Sequence, residues 1–143
     1  MMEDFFVKFR EFAVVGLSGN PKSFSRGACN YLKSQGYSIY PVNPNVNEID
    51  GQTCYDSLDS VPPVQAVIFF TNPKVTVEQL AICKEKGINH VWFQQGSADA
   101  DVIDQAKKLG LQYKNSCVFL YQPNAGFPHS FHRFINKVFK INM

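Results

Sequence analysis

Ala13-Val14-Val15-Gly16-Leu17-Ser18-Gly19-Asn20-Pro21-Lys22-Ser23 is the stretch that decides the fold of this chain. It reads as a short buried strand, then a small-residue turn, then the start of a helix. That order is expected to leave several backbone N–H groups unpaired and aimed at one point, the arrangement that holds a phosphate. The helix macrodipole adds roughly 0.3–1 kcal/mol of preference for negative charge there. The next strand, Tyr37 to Val42, ends in Asn43-Pro44-Asn45. A dinucleotide-binding domain places an Asp or Glu at that point to hold a ribose. The loop points to phosphate, and the missing carboxylate argues against NAD.

Working outward, one pattern recurs. Lys33-Ser34-Gln35-Gly36 precedes Tyr37-Ser38-Ile39-Tyr40, Lys84-Glu85-Lys86-Gly87 precedes Ile88 to Phe93, and Lys107-Lys108-Leu109-Gly110 precedes Leu111-Gln112-Tyr113. Each is a helix end with Lys at the negative end of the dipole, a Gly suited to a left-handed turn, and then a strand. Repeated helix-Gly-strand units imply right-handed crossovers and a parallel sheet. The expected strands are Ala13–Val15, Tyr37–Val42, Ala66–Phe70, His90–Phe93 and one near Leu111–Lys114, with Val118–Leu120 as a candidate continuation and Gln52–Tyr55 as an edge-like candidate.

Helices are expected from about Ser25 to Gln35, with Ala28 and Leu32 inward, and after the cap Asn72-Pro73, with Val77, Leu80, Ala81 and the stem of Lys84 buried. A third begins after Ser97, with Val102 or Ile103, Ala106 and Leu109 inward. Apolar residues between Phe131 and Phe139 recur at helical spacing and predict a last amphipathic helix over about 129–140. The fold class expected is α/β, a Rossmann-like, doubly wound, mainly parallel sheet of five to six strands with helices on both faces. Residues 1–143 read as one domain.

Composition narrows the partners. A net charge of +2 with no basic stripe excludes nucleic acid as the expected ligand. No apolar run approaches the ~18 residues that cross a membrane, and the acidic start Met1-Met2-Glu3-Asp4 is not a signal peptide. Cys29, Cys54, Cys83 and Cys117 form no CxxC pair and read as reduced thiols of a cytoplasmic protein. Thirteen Phe mark an aromatic-rich core or interface.

In such a sheet, ligands bind outside the carboxyl ends of the strands, where the winding reverses. Those ends are Gly16 to Asn20, Asn43-Pro44, Phe70-Thr71-Asn72-Pro73 and Gln94-Gln95-Gly96-Ser97, small or amide-bearing and without a carboxylate. Turn chemistry alone also selects Gly, Asn, Ser and Pro, but four such loops at one sheet edge favour a site. A carboxylate about 5 Å from a phosphate would cost roughly 3 kcal/mol at an effective dielectric near 20. Lys22 and Arg26, just beyond the loop, read either as compensating charge or as a solvated helix face.

These residues resemble the small CoA-binding proteins, stand-alone relatives of the CoA-binding domain of the succinyl-CoA synthetase α subunit. The likeness runs from about Ala13 to Cys117 and is carried by Val14 to Pro21, Gly36 to Pro44, Ile49 to Leu58, Ala66 to Phe70, Val91 to Gly96 and Asn115-Ser116-Cys117. It implies a Rossmann-like fold that binds coenzyme A or an acyl-CoA. Ser18, Gly19, Asn20 and Pro21 match the phosphate loop, Asn43-Pro44 the adenosine end, Phe70-Thr71-Asn72 a strand edge of the same pocket, and Phe93, Gln94, Gln95 and Gly96 a further loop. Val46 stands where the synthetase has a Lys, and Gln95 where it has an acid. The synthetase keeps its phosphorylated His in a second domain, so the resemblance implies binding without catalysis.

The expected cofactor site is therefore Gly16, Ser18, Gly19, Asn20, Pro21, Lys22, Asn43, Pro44, Phe70, Thr71, Asn72, Phe93, Gln94, Gln95 and Gly96, with no catalytic residue and no metal. Two alternatives stay open, an NAD(P)- or other nucleotide-binding regulatory module and a thiol-dependent acyltransferase using Cys117 or the bound CoA thiol. His129 and His132 lie i, i+3 with no third ligand in view. The apolar C-terminal face is expected either to cover the sheet or to pair two copies in a homodimer.

Overall fold

A computed structural model describes residues 4–116 of the protein. In chain order the elements are α1 (Asp4–Lys8), β1 (Glu11–Val15), α2 (Phe24–Ser34), β2 (Ser38–Val42), β3 (Glu48–Ile49), β4 (Gln52–Thr53), β5 (Ala66–Phe69), α3 (Pro73–Glu85), β6 (His90–Phe93), α4 (Ala100–Lys108) and β7 (Gln112–Asn115). The glycines foreseen as helix stops act as such. Gly36, Gly87 and Gly110 have φ of 93, 75 and 73. Their N–H groups donate to the carbonyls of Lys33, Lys84 and Lys107, and the next residue's N–H reaches back to Leu32, Cys83 and Ala106. Both bonds of the Schellman turn are present three times, and each turn feeds the chain back into the sheet.

The sheet has five strands in the order β2-β1-β5-β6-β7, every pair parallel. Alternation along β1 divides the core. Phe12 and Val14 join Ile39, Ile68 and Trp92 beneath α1 and α2, where Phe6, Ala28 and Leu32 are buried. Ala13 and Val15 join Val67, Phe69, Val91 and Phe93 beneath α3 and α4, with Leu80, Cys83, Val102 and Ala106. Helices therefore lie on both faces.

Sequence reading did not foresee α1. This five-residue helix is too short to show periodicity, yet it explains much of the aromatic content. Phe5 packs edge-to-face and Phe6 tilted against Trp92, with ring centroids 5.3 and 4.9 Å away. The Trp92 indole N–H donates to the Ser116 carbonyl at 2.8 Å.

Two local expectations need correction. The buried residues of α3 are Thr76, Leu80 and Cys83, while Ala81 and Lys84 are exposed. The helix is turned about one residue from the expected face, because Thr76 and Cys83 fill positions that an apolar count passes over. Gln52–Tyr55 is not one edge strand. Gln52–Thr53 pairs antiparallel with Glu48–Ile49, and Tyr55 makes a single parallel bridge to Val42. The hairpin turns at Asp50-Gly51, with φ of 51 and 79, as a two-residue Asp-Gly turn demands. Cys117, the Val118–Leu120 continuation, His129, His132 and the helix over 129–140 lie outside the described residues. Among the described residues no helix is long and apolar enough to cross a membrane.

Candidate functional site

The strand order places β2 on one side of β1 and β5, β6 and β7 on the other, so the winding reverses between β1 and β5. Gly16 leaves β1 at that point. Its φ is 92, and a Cβ there would lie 2.9 Å from Thr71 Cγ2 and 3.1 Å from the Phe70 carbonyl carbon. Only glycine lets the β1 loop pass this close to the β5–α3 loop.

The loop that follows differs from expectation in one respect. Its N–H groups are largely taken up locally: Ser18 N–H by Ser25 Oγ, Asn20 N–H by Ser18 Oγ, and Lys22 N–H by Asn20 Oδ1, each at 3.0 Å. Arg26 N–H goes to the cap Ser23 Oγ at 3.3 Å. The same short hydroxyl and amide side chains that suit a phosphate also cap the backbone of their own loop. The Gly19 N–H has no partner among the described residues.

Arg26 is neither a free cation nor a solvated helix residue. Its side chain is buried, donates to the carbonyls of Ser18 and Gly19 at 3.4 and 3.2 Å, and pairs with Asp50 Oδ1 at 2.7 Å. Asn43 also turns towards the loop. Its Nδ2 donates to the Leu17 carbonyl at 3.0 Å and its Oδ1 accepts from Asn45 N–H at 2.9 Å. Val46, where the resemblance has Lys in the synthetase, packs on Gly19, whose Cβ would meet Val46 Cγ2 at 3.2 Å. Gly19, Asn20, Pro21, Lys22 and Pro44 are exposed at this rim.

Beside the loop opens a cleft of about 410 Å³, lined by Gly16, Phe24, Ser25, Phe70, Thr71, Asn72, Gln94, Gln95, Gly96 and Ser97. Seven of the expected site residues meet here: Gly16, Phe70, Thr71, Asn72, Gln94, Gln95 and Gly96. Ser18 to Lys22, Asn43 and Pro44 form the adjoining rim rather than the wall. Phe93, an expected site residue, is fully buried against Phe69 and Tyr113 and is not part of the cleft lining. Phe24 and Ser25 were not foreseen, and Ser97, placed in the strand-end loop, was not among the expected cofactor-site residues. The N-cap at Ser23, which sets the first turn of α2 at the mouth, was the available signal for the first two.

The walls are held by their own hydrogen bonds. Asn72 caps α3 by accepting Val75 N–H at 3.1 Å. Buried Thr76 bonds Thr71 Oγ1 at 2.8 Å and the Asn72 carbonyl at 3.0 Å, fixing the β5–α3 loop. Phe24 and Phe70 face each other across the cleft mouth with centroids 6.2 Å apart. Ser97 Oγ, enclosed in the wall, has no hydrogen-bond partner among the described residues. Among the described residues no charged side chain lines the cleft, and the lining they supply is one of hydroxyls, amides and aromatic faces.

Nucleophilic chemistry finds no support in the described thiols. Burial pushes Cys29 and Cys83 up to about 12 and also raises Cys54, so all three stay protonated at neutral pH. A second, smaller cleft of about 200 Å³ lies at the opposite edge of the sheet, lined by residues including Phe9, His90, Gln112 and Lys114. It sits at the amino ends of β6 and β7, away from the switch point.

Comparison with known proteins agrees with the fold. Residues 10–123 match the family model described as the CoA binding domain. The alpha subunit of the ADP-forming acetate–CoA ligase II of Pyrococcus furiosus is 36% identical over 143 aligned positions, covering 91% of this chain and 31% of the subunit. The chain thus spans under a third of that relative. An uncharacterized protein of Bacillus subtilis, YneT, is 31% identical over 106 residues, 71% of this chain and 76% of its own length. A conserved hypothetical protein from Pyrococcus furiosus superposes with a TM-score of 0.71 at 34% identity, covering 75% of this chain and 93% of that one. A hypothetical protein from Pyrococcus horikoshii does so with a TM-score of 0.76 at 30% identity, covering 81% and 82%.

Proposed function

The chain belongs to the CoA-binding domain family, and on that premise we propose that it binds coenzyme A or an acyl-CoA at the carboxyl edge of its sheet, without chemistry of its own. One observation carries the reading: the switch-point cleft is walled by neutral hydroxyls, amides and two aromatic rings. Such a wall suits the uncharged, amide-bearing arm of the coenzyme, because each buried amide of the ligand needs a partner while none of the lining needs a counter-charge. The phosphates then fall to the adjoining rim, where Ser18, Gly19 and Asn20 offer small-residue approach and Lys22 offers a cation.

NAD fits less well. Its adenine ribose calls for a carboxylate after β2. The residue there is Asn43, whose amide is committed to the Leu17 carbonyl and to Asn45 N–H. The acyltransferase alternative rests on Cys117 or the CoA thiol, and Cys117 lies outside the described residues; the described thiols Cys29, Cys54 and Cys83 are all shifted away from ionisation and add nothing to it. Because the ligase subunit is more than three times longer than its matched portion, only the CoA-binding step is proposed for this chain.

A thermal-shift series with CoA, acetyl-CoA, dephospho-CoA, NAD and ADP tests the reading. At a hundredfold excess over Kd, CoA should add about 2.7 kcal/mol of stability, a rise in Tm on the order of 10 °C for a domain of this size. An equal or larger rise with NAD sinks the CoA assignment.

A further inference from the structure

We infer that Arg26 is the positioning residue of the phosphate loop: it holds the carbonyls of Ser18 and Gly19 away from the cleft and so turns the unpaired Gly19 N–H towards the ligand. The inference rests on the CoA-binding reading above.

In a trans peptide the C=O of one residue and the N–H of the next point in opposite directions. Three consecutive carbonyls of the loop are claimed by side chains that do not line the cleft. Asn43 Nδ2 takes Leu17 O at 3.0 Å, and Arg26 Nη1 takes Ser18 O at 3.4 Å and Gly19 O at 3.2 Å. The N–H groups of Ser18, Gly19 and Asn20 therefore each point away from the side chain that holds the preceding carbonyl. Where that way leads is marked by Ser25, which accepts Ser18 N–H at 3.0 Å and itself lines the cleft. Neither Arg26, Asn43 nor Asp50 lines it. Gly19 N–H, opposite the guanidinium, has no partner among the described residues.

Asp50 makes the clamp possible. A guanidinium with 7% of its side chain exposed and only carbonyls for partners would be an uncompensated buried charge. The Asp50 carboxylate, 2.7 Å away and half exposed, neutralises it. The left-handed Asp50-Gly51 turn delivers that carboxylate, and Asp tolerates φ of 51 better than most residues. Arg26 thus spends its charge on Asp50 and its geometry on the loop, so it is not the counter-ion of the phosphate. Lysine is no substitute, because one ammonium point cannot reproduce a planar fork that spans two carbonyls and a carboxylate.

Calorimetric Kd values for CoA and for pantetheine, which lacks the phosphates, test this in wild type, Arg26→Lys, Arg26→Met, Asp50→Asn and the Arg26→Met/Asp50→Asn pair. Hydrogen bonds from a charged group set the scale, so CoA should bind at least about tenfold more weakly to both Arg26 variants. Pantetheine affinity should stay unchanged, and the double variant should not recover CoA binding. Equal weakening of both ligands shows a purely structural role and overturns the inference. So does an Arg26→Met variant that binds CoA like wild type, or a double variant that returns to the wild-type Kd, which would make Arg26 a mere neutraliser of Asp50. If Arg26→Met does not fold, Arg26→Lys and Asp50→Asn, which keep a charge or alter an exposed carboxylate, decide the matter. Wild type that binds no CoA at all overturns the functional reading itself.

Discussion

Replacing Gly16 with alanine perturbs the point where the β1 loop passes the β5–α3 loop, and its cost can be worked from the geometry. At φ of 92 an L-residue is strained by about 1–2 kcal/mol. The new methyl would also sit 2.9 Å from Thr71 Cγ2 and 3.1 Å from both the Phe70 carbonyl carbon and the Thr71 nitrogen. Two of those atoms are backbone, and the segment behind them is fixed by the Thr71–Thr76 hydrogen bond, so they cannot simply move aside. Overpacking of this kind costs about 1–3 kcal/mol more, for a total of about 2–5 kcal/mol. Gly96 is the internal control. Its φ is 94 and its Cβ would meet nothing within 4 Å, so Gly96→Ala should cost only the strain, about 1–2 kcal/mol. Urea unfolding of the two variants and wild type, with unchanged m-values, should separate their midpoints by about 1 M. Coincident midpoints for Gly16→Ala and Gly96→Ala would refute the close-approach argument.

Other expectations follow from buried groups. Ser97→Ala removes an enclosed hydroxyl that has no partner among the described residues, so it should leave stability unchanged or raise it by about 1 kcal/mol; a loss of similar size would show that the hydroxyl is bonded after all. Burial lifts Cys29 and Cys83 from 9.0 to about 12 and also raises Tyr31 and Tyr37. The unfolded chain ionises these groups first, so the stability they contribute is complete below about pH 9 and is lost as pH climbs towards 12. Urea midpoints that stay flat to pH 11, or rapid native-state alkylation of either cysteine at pH 8, would contradict this.

Much of the architecture was legible because it is written in backbone-restricting residues. Gly36, Gly87 and Gly110, each behind a lysine-bearing helix end, announce the returns to the sheet, and Asn72-Pro73 announces α3. These signals are local and survive tertiary context. The readings that missed depended on partners distant in sequence. Thr76 and Cys83 are buried because of the loop and the sheet they meet, not because they look apolar. The α1 helix is held by Trp92, 86 positions beyond Phe6. At the site, the residue types of the four sheet-edge loops point to a neutral cleft at the switch point, with Gly16, Thr71, Asn72, Gln94, Gln95 and Gly96 in it. What residue types do not reveal is the direction of their hydrogen bonds. Ser18, Asn20 and Ser25 turn inward to the loop's own N–H groups, and Arg26, outwardly a candidate counter-ion, is folded under the loop and spent on Asp50.

The most direct test of the account is an amide NMR titration of the 15N-labelled protein with CoA. Binding at the carboxyl edge predicts saturable shifts concentrated at Gly16, Ser18, Gly19, Thr71, Gln95 and Gly96, with the opposite edge unmoved. Shifts concentrated at Phe9, His90 and Gln112, or no saturable shift at millimolar CoA, would contradict it.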